Sequence, residues 1–262
     1  MDLSIIIITW NSKHFLQKCL NSIYSKNQKI NFELIIIDNN SHDGTDIFIR
    51  ENYPDAIYIK NTDNKGVAPA RNQGLKIVTG KYILILDVDT ELITENGFDT
   101  MLDYMDSNSD VGLLGAQLIF PDGEVQFSCL RFPSVWVKLF NRIEWLSFIR
   151  NSKMLQQYYM TNINHREILE VDYVIGAFQL IRKQSLDLVG SYDDNIFYGP
   201  EDIDYCLRLK KSGYRIIYFP KVVLYHFYQR ITKKFFTKIT YLHIKGLFYF
   251  FWKHKYINYP KY

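Results

Sequence analysis

A pattern that occurs four times in the first 90 residues constrains the fold of this chain most strongly. Each copy is a run of mainly aliphatic residues that ends in polar side chains; the runs are residues 3–8, 32–37, 56–60 and 83–86. Segments with the apolar spacing of helices lie between the runs. Such runs are typical of strands buried on both faces, and right-handed crossovers between them predict a doubly wound, mostly parallel sheet flanked by helices.

Polar side chains follow all four runs, at residues 9–12, 38–44, 61–66 and 87–89. Each cluster alone is compatible with ordinary turn chemistry, to which Asn, Asp and Ser are suited. The ligands of a doubly wound sheet bind outside the carboxyl ends of its strands, where all four clusters are expected. Their convergence therefore predicts a binding site at that edge.

Two carboxylates, Asp87 and Asp89, follow the fourth run directly. Residues i and i+2 of an extended chain point the same way, so the pair is predicted to share one Mg²⁺ or Mn²⁺ ion, with Val88 pointing back into the protein. The alternative is a simple turn or a helix N-cap at Asp89. His226 also follows a predicted strand, and its neutral imidazole is a suitable third ligand.

The second half of the chain mixes strand and helix signals. We predict helices over 98–107, 183–189 and 201–212, a hairpin of 111–120 with 125–127, and β segments at 169–174, 214–219 and 222–225. Residues 131–166 lack a strand pattern but contain apolar residues at helical spacing, namely Trp136, Leu139, Phe140, Ile143 and Leu146. We favour an extra packed helix here over a flap or an acceptor-binding surface. In the helix that begins at 201, Glu201, Asp202 and Asp204 are predicted to be available for the cleft; the alternative is that they only complement the helix dipole.

Length and composition are those of one large α/β domain, with 262 residues and 47% hydrophobic side chains. Three scattered cysteines, Cys19, Cys129 and Cys206, indicate core residues and neither a disulfide framework nor a zinc site. No run approaches the roughly 20 apolar residues that cross a bilayer, and the chain begins with a strand in place of a signal peptide. A cytoplasmic location is expected.

Charge is distributed unevenly along the chain. The first 204 residues carry 18 basic and 28 acidic side chains, a net charge of −10, whereas 13 basic and no acidic side chains follow Asp204. Lysines alternate with aromatic residues between Arg230 and Trp252, which predicts a helix lying on the inner face of an anionic membrane. The alternatives are a helix packed on the domain and a dimer contact. Nucleic-acid binding is not expected, because the rest of the chain is not basic.

Several motifs together resemble the family 2 inverting glycosyltransferases of GT-A fold, in particular their bacterial rhamnosyltransferase-like branch. The motifs are SIIIITWN at 4–11, DNNSHDGT at 38–45, NKGVAPARNQG at 64–74, DVD at 87–89, GAF at 176–178, EDID at 201–204 and YH at 225–226. Three segments depart from the family pattern. Gly190-Ser191-Tyr192-Asp193-Asp194 is an altered form of the usual Gly-Gly-Phe-Asp-Glu. Asn39 stands where several relatives have aspartate, and Gly199-Pro200 precedes the acidic pair in place of an aromatic residue or Phe-Gly.

The resemblance implies a role for each matched residue. Asp202 corresponds to the catalytic base, Glu201 is its neighbour, and Asp87, Asp89 and His226 correspond to the metal site. Binding of the sugar nucleotide is implied for Thr9, Asn11, Asp38, Asn39, Asn64, Gly66, Arg71, Asp87, Val88 and Asp89. The implied domain boundaries are a GT-A domain over 1–226, with a nucleotide-binding half at 1–120 and an acceptor-binding, catalytic half at 121–226, and a helical tail over 227–262.

The activity implied is metal-dependent transfer of a sugar from a UDP- or dTDP-linked donor to a hydroxyl of a glycan or lipid-linked glycan acceptor. This reaction would belong to cell-surface polysaccharide synthesis. One alternative is a non-catalytic binding or scaffold subunit of the same fold, because fold alone does not establish activity. The other is a sugar-phosphate nucleotidyltransferase, which would need a Gly-rich, Arg-containing loop after the first strand in place of Thr9-Trp10-Asn11-Ser12.

Overall fold

The computed structural model describes residues 1–26, 29–141, 147–227 and 237–258. Strands and helices alternate strictly in the first third of the chain, as predicted. The elements are β1 (Leu3–Thr9), α1 (Lys13–Lys26), β2 (Phe32–Asp38), α2 (Thr45–Asn52), β3 (Ile57–Lys60), α3 (Val67–Leu75) and β4 (Tyr82–Asp87). The four strands are parallel and lie in the order β3-β2-β1-β4.

The remaining elements complete the sheet and cover it. They are β5 (Thr90–Leu92), α4 (Gly97–Ser107), β6 (Val111–Ile119), β7 (Val125–Gln126), β8 (Cys129–Leu130), α5 (Val135–Asn141), α6 (Ser147–Arg150), α7 (Lys153–Tyr159), β9 (Leu169–Glu170), β10 (Tyr173–Val174), β11 (Phe178–Arg182), α8 (Lys183–Val189), α9 (Glu201–Lys211), β12 (Arg215–His226) and α10 (Lys238–His254). The main sheet continues from β4 as β11-β6-β12-β5, and β8 pairs with β10 in a small antiparallel sheet. The predicted α/β class, with its mostly parallel sheet and antiparallel extension, is confirmed.

Strand register brings the ends of the first strands together. Thr9 of β1 is aligned with Asp38 of β2, and Ile8 is aligned with Asp87 of β4. Alternate residues of β1 face opposite sides of the sheet, as the pleat requires. Ile5 and Ile7 pack in the core on the side of α1, and Ile6 packs with the alanines of α3. We call the edge at which these strands end the carboxyl edge. The sheet that forms it has a hydrophobic core on both faces.

Strand β11 was not predicted; it lies between β4 and β6 and is antiparallel to both. Its two polar residues hid the strand pattern, although all five of its residues are buried. Gln179 donates to the carbonyl oxygen of Val174 at 3.0 Å, and the Arg182 guanidinium donates to the carbonyl oxygens of Val111, Met105 and Asn108. Buried polar groups with partners of this kind are compatible with a central strand.

Three boundaries differ from the prediction. β12 is one strand with an irregularity between Phe219 and Val223, where Pro220 cannot donate to the sheet, and not two segments. The sequence predicts a helix over residues 68–78 that is closed by Gly80, whereas α3 ends at Leu75. Gly80 instead packs where an added Cβ would lie 2.6 Å from the backbone nitrogen of Ser4. Residues 169–174 form two short strands that belong to different sheets.

The predicted packing face over residues 131–146 is wrong for the part that the structure describes. Trp136, Leu139 and Phe140 are exposed on α5, and Val137 is the residue that packs into the core. Ile143 and Leu146 lie outside the described residues. The three predicted core cysteines are buried and unbridged, as expected.

The last helix, α10, packs on the domain through one face. Thr240, Gly246 and Phe250 are buried there, and Phe250 belongs to the same core cluster as Ile6 of β1. The predicted basic and aromatic residues Arg230, Lys233, Lys234, Phe235 and Phe236 lie outside the described residues. Within the described ranges, no helix combines the length and apolar character needed to cross a membrane.

Candidate metal and nucleotide site

Three side chains at the carboxyl edge are placed to share one ion. Asp87 ends β4, Asp89 lies in the turn between β4 and β5, and His226 ends β12. Antiparallel pairing of β5 with β12 aligns His226 with Thr90, and the amide of Phe227 donates to the Asp89 carbonyl at 2.8 Å. Ligand atoms of the three side chains all lie within 4.8 Å of one another.

The geometry that brings Asp87 and Asp89 together differs from the predicted one. Val88 and Asp89 form a turn and do not continue the strand, so the alternation of an extended chain is not the reason for their proximity. The Thr90 hydroxyl closes this turn by donating to the Asp87 carbonyl at 2.8 Å. Val88 is half-buried and packs on the core cluster below the turn, as expected.

The donor set fits a hard divalent cation. Gln126 Oε1 accepts a hydrogen bond from His226 Nδ1 at 2.8 Å, which places the proton on Nδ1. His226 Nε2 then faces Asp89, with 3.5 Å between Nε2 and Oδ1. Two carboxylates and an imidazole that is oriented by a hydrogen bond to Gln126 are ligands that suit Mn²⁺ or Mg²⁺.

A buried arginine of α3 joins this group to the acidic pair of α9. Arg71 is only 2% exposed. It contacts Asp87 Oδ1 at 3.2 Å and Glu201 Oε1 at 3.1 Å, and it donates to the Gly176 carbonyl at 2.9 Å. An added Cβ at Gly176 would lie 2.8 Å from the guanidinium nitrogens, so a larger residue there would displace the Arg71 side chain. The Arg71 guanidinium thus joins three segments that are far apart in the chain, at Asp87, Gly176 and Glu201.

The two members of the acidic pair have different environments. Glu201 is buried, and this burial raises the pKa of its carboxyl to about 7, against the opposing charge of Arg71 and with a contribution from Asp202. Asp202 is half-buried, and its carboxylate accepts hydrogen bonds from the amides of Gly176 at 3.0 Å and Ile203 at 2.8 Å. Asp202 is therefore the member that can meet a second reactant.

Asp204 does not face the cleft, contrary to the prediction. Its carboxylate is fully buried and contacts Arg208 at 2.9 Å, Lys253 at 2.7 Å and His254 at 2.8 Å. Although burial acts in the opposite direction, these partners hold the pKa of Asp204 well below its usual range. Asp204 follows Asp202 by two residues, about 200° around the helix axis, so its side chain points away from that of Asp202 and towards α10.

The residues predicted to bind the nucleoside lie together at the carboxyl edge, but most of their polar atoms contact the loops. Asp38 accepts from the Ser41 amide and the Tyr58 hydroxyl. Asn39 donates to Asn64 at 3.3 Å and to the Gly66 carbonyl at 3.1 Å. Their role in binding stays a prediction.

Asn11, Thr9 and Gly66 also lie at the carboxyl edge. The Asn11 side chain accepts from the His42 amide at 2.8 Å, while the buried Thr9 hydroxyl has no hydrogen-bond partner within the described residues. Gly66 has φ of +89°, and an added Cβ would lie 2.6 Å from the Phe197 carbonyl oxygen. This glycine therefore allows the loop before α3 to reach the segment that precedes the acidic pair.

Sequence reasoning missed a polar group that is close enough to Asp202 to be influenced by its charge. Lys138 of α5 donates to the Tyr158 hydroxyl at 3.0 Å, and this hydroxyl is 2.5 Å from that of Tyr173. Burial lowers the pKa of Lys138 to about 8, with the Asp202 charge acting in the opposite direction. Lys138 lies between Val137 and Leu139 in a mainly apolar segment of the sequence, so no pattern marked it.

The sequence is similar to a family model and to several known proteins. The family model described as "Glycosyl transferase family 2" matches residues 4–190. The minor teichoic acid biosynthesis protein GgaB of Bacillus subtilis strain 168 is 33% identical over 129 residues, which are 47% of this chain and 14% of that protein. The N-acetylglucosaminyl-diphospho-decaprenol L-rhamnosyltransferase of Mycobacterium tuberculosis strain H37Rv is 23% identical over 240 residues, which are 86% of this chain and 75% of that protein.

A solved structure with a similar fold is the mannosyltransferase PcManGT from Pyrobaculum calidifontis, in complex with GDP-Man and Mn²⁺. The TM-score is 0.61 at 19% identity, and the match covers 88% of this chain and 58% of that chain. The chain spans 14%, 42% and 24% of the length of three of its curated relatives. The fold is thus of the GT-A type, and, since the family model covers most of its length, this chain belongs to glycosyl transferase family 2.

Proposed function

We propose that this chain is a metal-dependent inverting glycosyltransferase of cell-surface polysaccharide synthesis. It moves a sugar from a UDP- or dTDP-linked donor to a hydroxyl of a glycan or lipid-linked glycan acceptor. The observation that carries this proposal is Arg71, which contacts both Asp87 of the candidate metal group and Glu201 beside Asp202. The names of the relatives, which include a diphospho-decaprenol rhamnosyltransferase, support the acceptor class.

The donor would bind at the carboxyl edge. Asp87, Asp89 and His226 would hold Mn²⁺ or Mg²⁺, which when bound offsets charge that develops on the leaving nucleoside diphosphate. The GDP-Man and Mn²⁺ complex of PcManGT supports this assignment. The nucleoside and ribose would contact the predicted residues of the edge loops, namely Thr9, Asn11, Asp38, Asn39, Asn64, Gly66, Arg71 and Val88.

Asp202 would act as the base of the reaction. The acceptor hydroxyl oxygen forms a bond to the anomeric carbon while the bond from that carbon to the diphosphate oxygen breaks on the opposite face, which inverts the configuration. The hydroxyl proton passes to the Asp202 carboxylate. The amides of Gly176 and Ile203 fix the orientation of this carboxylate before the acceptor arrives.

Glu201 has a different part in the proposal. Because it is buried against Arg71, it would position the Asp202 segment relative to Asp87 and would not touch the acceptor. Lys138, near Asp202 and on α5, would line the acceptor side. This arrangement supports the predicted division into a nucleotide-binding half over 1–120 and an acceptor-binding, catalytic half over 121–226, with a tail over 227–262.

The test replaces the base and keeps its size. We expect Asp202→Asn to lower the rate of nucleoside diphosphate release from the donor, in the presence of lipid-linked glycan acceptors, by roughly 100- to 10,000-fold. Calorimetric binding of UDP or dTDP should change little, because Asp202 does not hold the donor. The matched control is Asp55→Asn, an exposed aspartate ahead of β3 at the opposite end of the sheet. An Asp202→Asn enzyme with near wild-type turnover would remove Asp202 as the base.

A further inference from the structure

The two faces of α10 have different surroundings. Its inner face is fixed to the elements that carry the acidic pair, through Lys253 and His254 on Asp204 and through the fully buried Phe250. Gly246 lies so close to the segment before Glu201 that an added Cβ would be 2.8 Å from the Gly199 carbonyl oxygen. This inner face accounts for the buried residues of α10 and leaves its outer face without a role.

The outer face carries a stripe of four large apolar and aromatic side chains. Tyr241, Ile244, Phe248 and Trp252 are 67%, 39%, 75% and 76% exposed. Their spacing of three, four and four residues places them on one side of the helix. Tyr and Trp have an apolar body and a polar tip, and such residues favour the boundary between water and lipid.

The apolar surface continues beyond α10. The carbonyl of Ile257, itself an exposed residue, accepts from the Val135 amide at 2.9 Å, which joins the end of α10 to the start of α5. Trp136 and Leu139 are exposed on α5. Of the 18 large exposed apolar side chains in the described residues, nine lie within 135–150 and 238–257. Exposed apolar surface concentrated in this way marks an interaction site.

Charge identifies the partner. Lys238, Lys245 and Lys255 of α10 and its C-cap are exposed, and within the described residues none of them forms an ion pair. No acidic residue follows Asp204, whereas the first 204 residues have a net charge of −10. An anionic surface is therefore attracted to this end of the chain and repelled by the rest.

We propose that the outer face of α10 binds the surface of an anionic lipid bilayer, with the helix lying along the interface. The lysines would contact lipid head groups, and the aromatic stripe would enter the boundary of the acyl chains. Bilayer binding is independent of sugar transfer. Only its use, the delivery of a lipid-linked acceptor to Asp202 from the membrane that α10 contacts, rests on the proposed function.

Vesicle flotation with the full chain tests this proposal. We expect the protein to float with vesicles of equal parts phosphatidylcholine and phosphatidylglycerol, and not with phosphatidylcholine alone. Phe248→Ser/Trp252→Ser should weaken binding about tenfold or more, since it removes two interfacial anchors. Lys238→Gln and Lys245→Gln should each weaken it about fivefold at low salt. The matched control is Ile47→Ser/Leu188→Ser, two residues that are 60% and 65% exposed on α2 and α8.

Two outcomes would overturn the proposal. One is equal flotation of the control and the Phe248→Ser/Trp252→Ser variant. The other is a concentration-dependent dimer in sedimentation analysis that this variant abolishes, without any vesicle binding by the parent, which would assign the face to a second copy. Calorimetry of UDP, dTDP and GDP on the same variants separates this proposal from the proposed function, because loss of vesicle binding should leave nucleotide binding intact.

Discussion

Among single residues, Arg71 is a buried positive charge that lies between two carboxyl groups. A guanidinium at 2% exposure stays charged only when its partners compensate for the lost water, and here two carboxylates and one carbonyl do so. Removing one member of such a buried set leaves an uncompensated charge and typically costs about 3–5 kcal/mol. The arrangement of the acidic groups therefore depends on all members being present.

The buried Glu201 predicts a specific dependence of stability on pH. Its pKa is raised to about 7 in the folded chain, above its ordinary value of 4.5. Its contribution to stability is therefore complete below pH 4.5 and is lost as the pH rises towards 7. We expect Glu201→Gln to remove this part of the decline in the free energy of unfolding, measured by urea denaturation at pH 4.5, 6 and 7.5. The exposed Glu51→Gln is the control, and an unchanged slope in Glu201→Gln would contradict the raised pKa.

Single-residue predictions succeeded where the chemistry is visible in neighbouring residues. Asp87 and Asp89 could be paired from the sequence because only Val88 separates them, although they are brought together by a turn and not by the extended chain that the pairing assumed. The positions of Asp204 and Lys138 depend on partners about 50 and 20 residues away, on α10 and at Tyr158. No local sequence pattern indicates such contacts, so the different environments of the acidic residues of α9 could not be predicted.

At the scale of elements, α10 is held to α9 by buried ion pairs. The pKa of Asp204 is depressed in the folded chain, so its contribution to stability is present above its unfolded pKa of about 3.9 and is lost as the pH falls through the folded value. We expect Asp204→Asn to lower the free energy of unfolding at pH 7 by about 3–5 kcal/mol, because Lys253 and Arg208 lose a buried partner. Below pH 4 the difference from the parent should shrink.

Urea denaturation at pH 7 and pH 3 measures this difference, with Asp187→Asn, an exposed aspartate of α8, as the control. An Asp204→Asn variant as stable as the parent at pH 7 would show that the ion pairs do not hold α10 in place.

Elements differ in how well the sequence predicts them, for physical reasons. The parallel strands β1, β2 and β4 are continuous aliphatic runs because helices cover both of their faces, and this pattern is unambiguous. β11 contains Gln179 and Arg182, whose buried polar groups are satisfied by partners distant in the chain. β5 has three residues and is defined only by its pairing with β12. Both strands therefore needed the tertiary structure to be identified.

At the scale of the whole molecule, the candidate site is assembled from both halves of the sheet. The family model ends at residue 190, whereas Asp202 and His226 come later in the chain. Their assignment therefore depends on the geometry that joins them to Asp87 and Asp89, through Arg71 and through the pairing of β5 with β12. The fold brings Asp87, Asp89 and His226 together because β4 and β12, which are far apart in the chain, end at the same edge of the sheet.

Calorimetric titration of UDP, dTDP and GDP into the full chain, with Mn²⁺ and again with EDTA, tests whether a metal ion at the carboxyl edge holds the donor diphosphate. We predict that UDP or dTDP binds with Mn²⁺, that EDTA abolishes binding, and that Asp89→Asn weakens it about tenfold or more while Asp55→Asn does not. The physical reason is that the diphosphate is held by the ion shared by Asp87, Asp89 and His226. Binding that is equal with Mn²⁺ and EDTA, or no binding of any of the three diphosphates, would exclude a metal-dependent donor site at Asp87, Asp89 and His226.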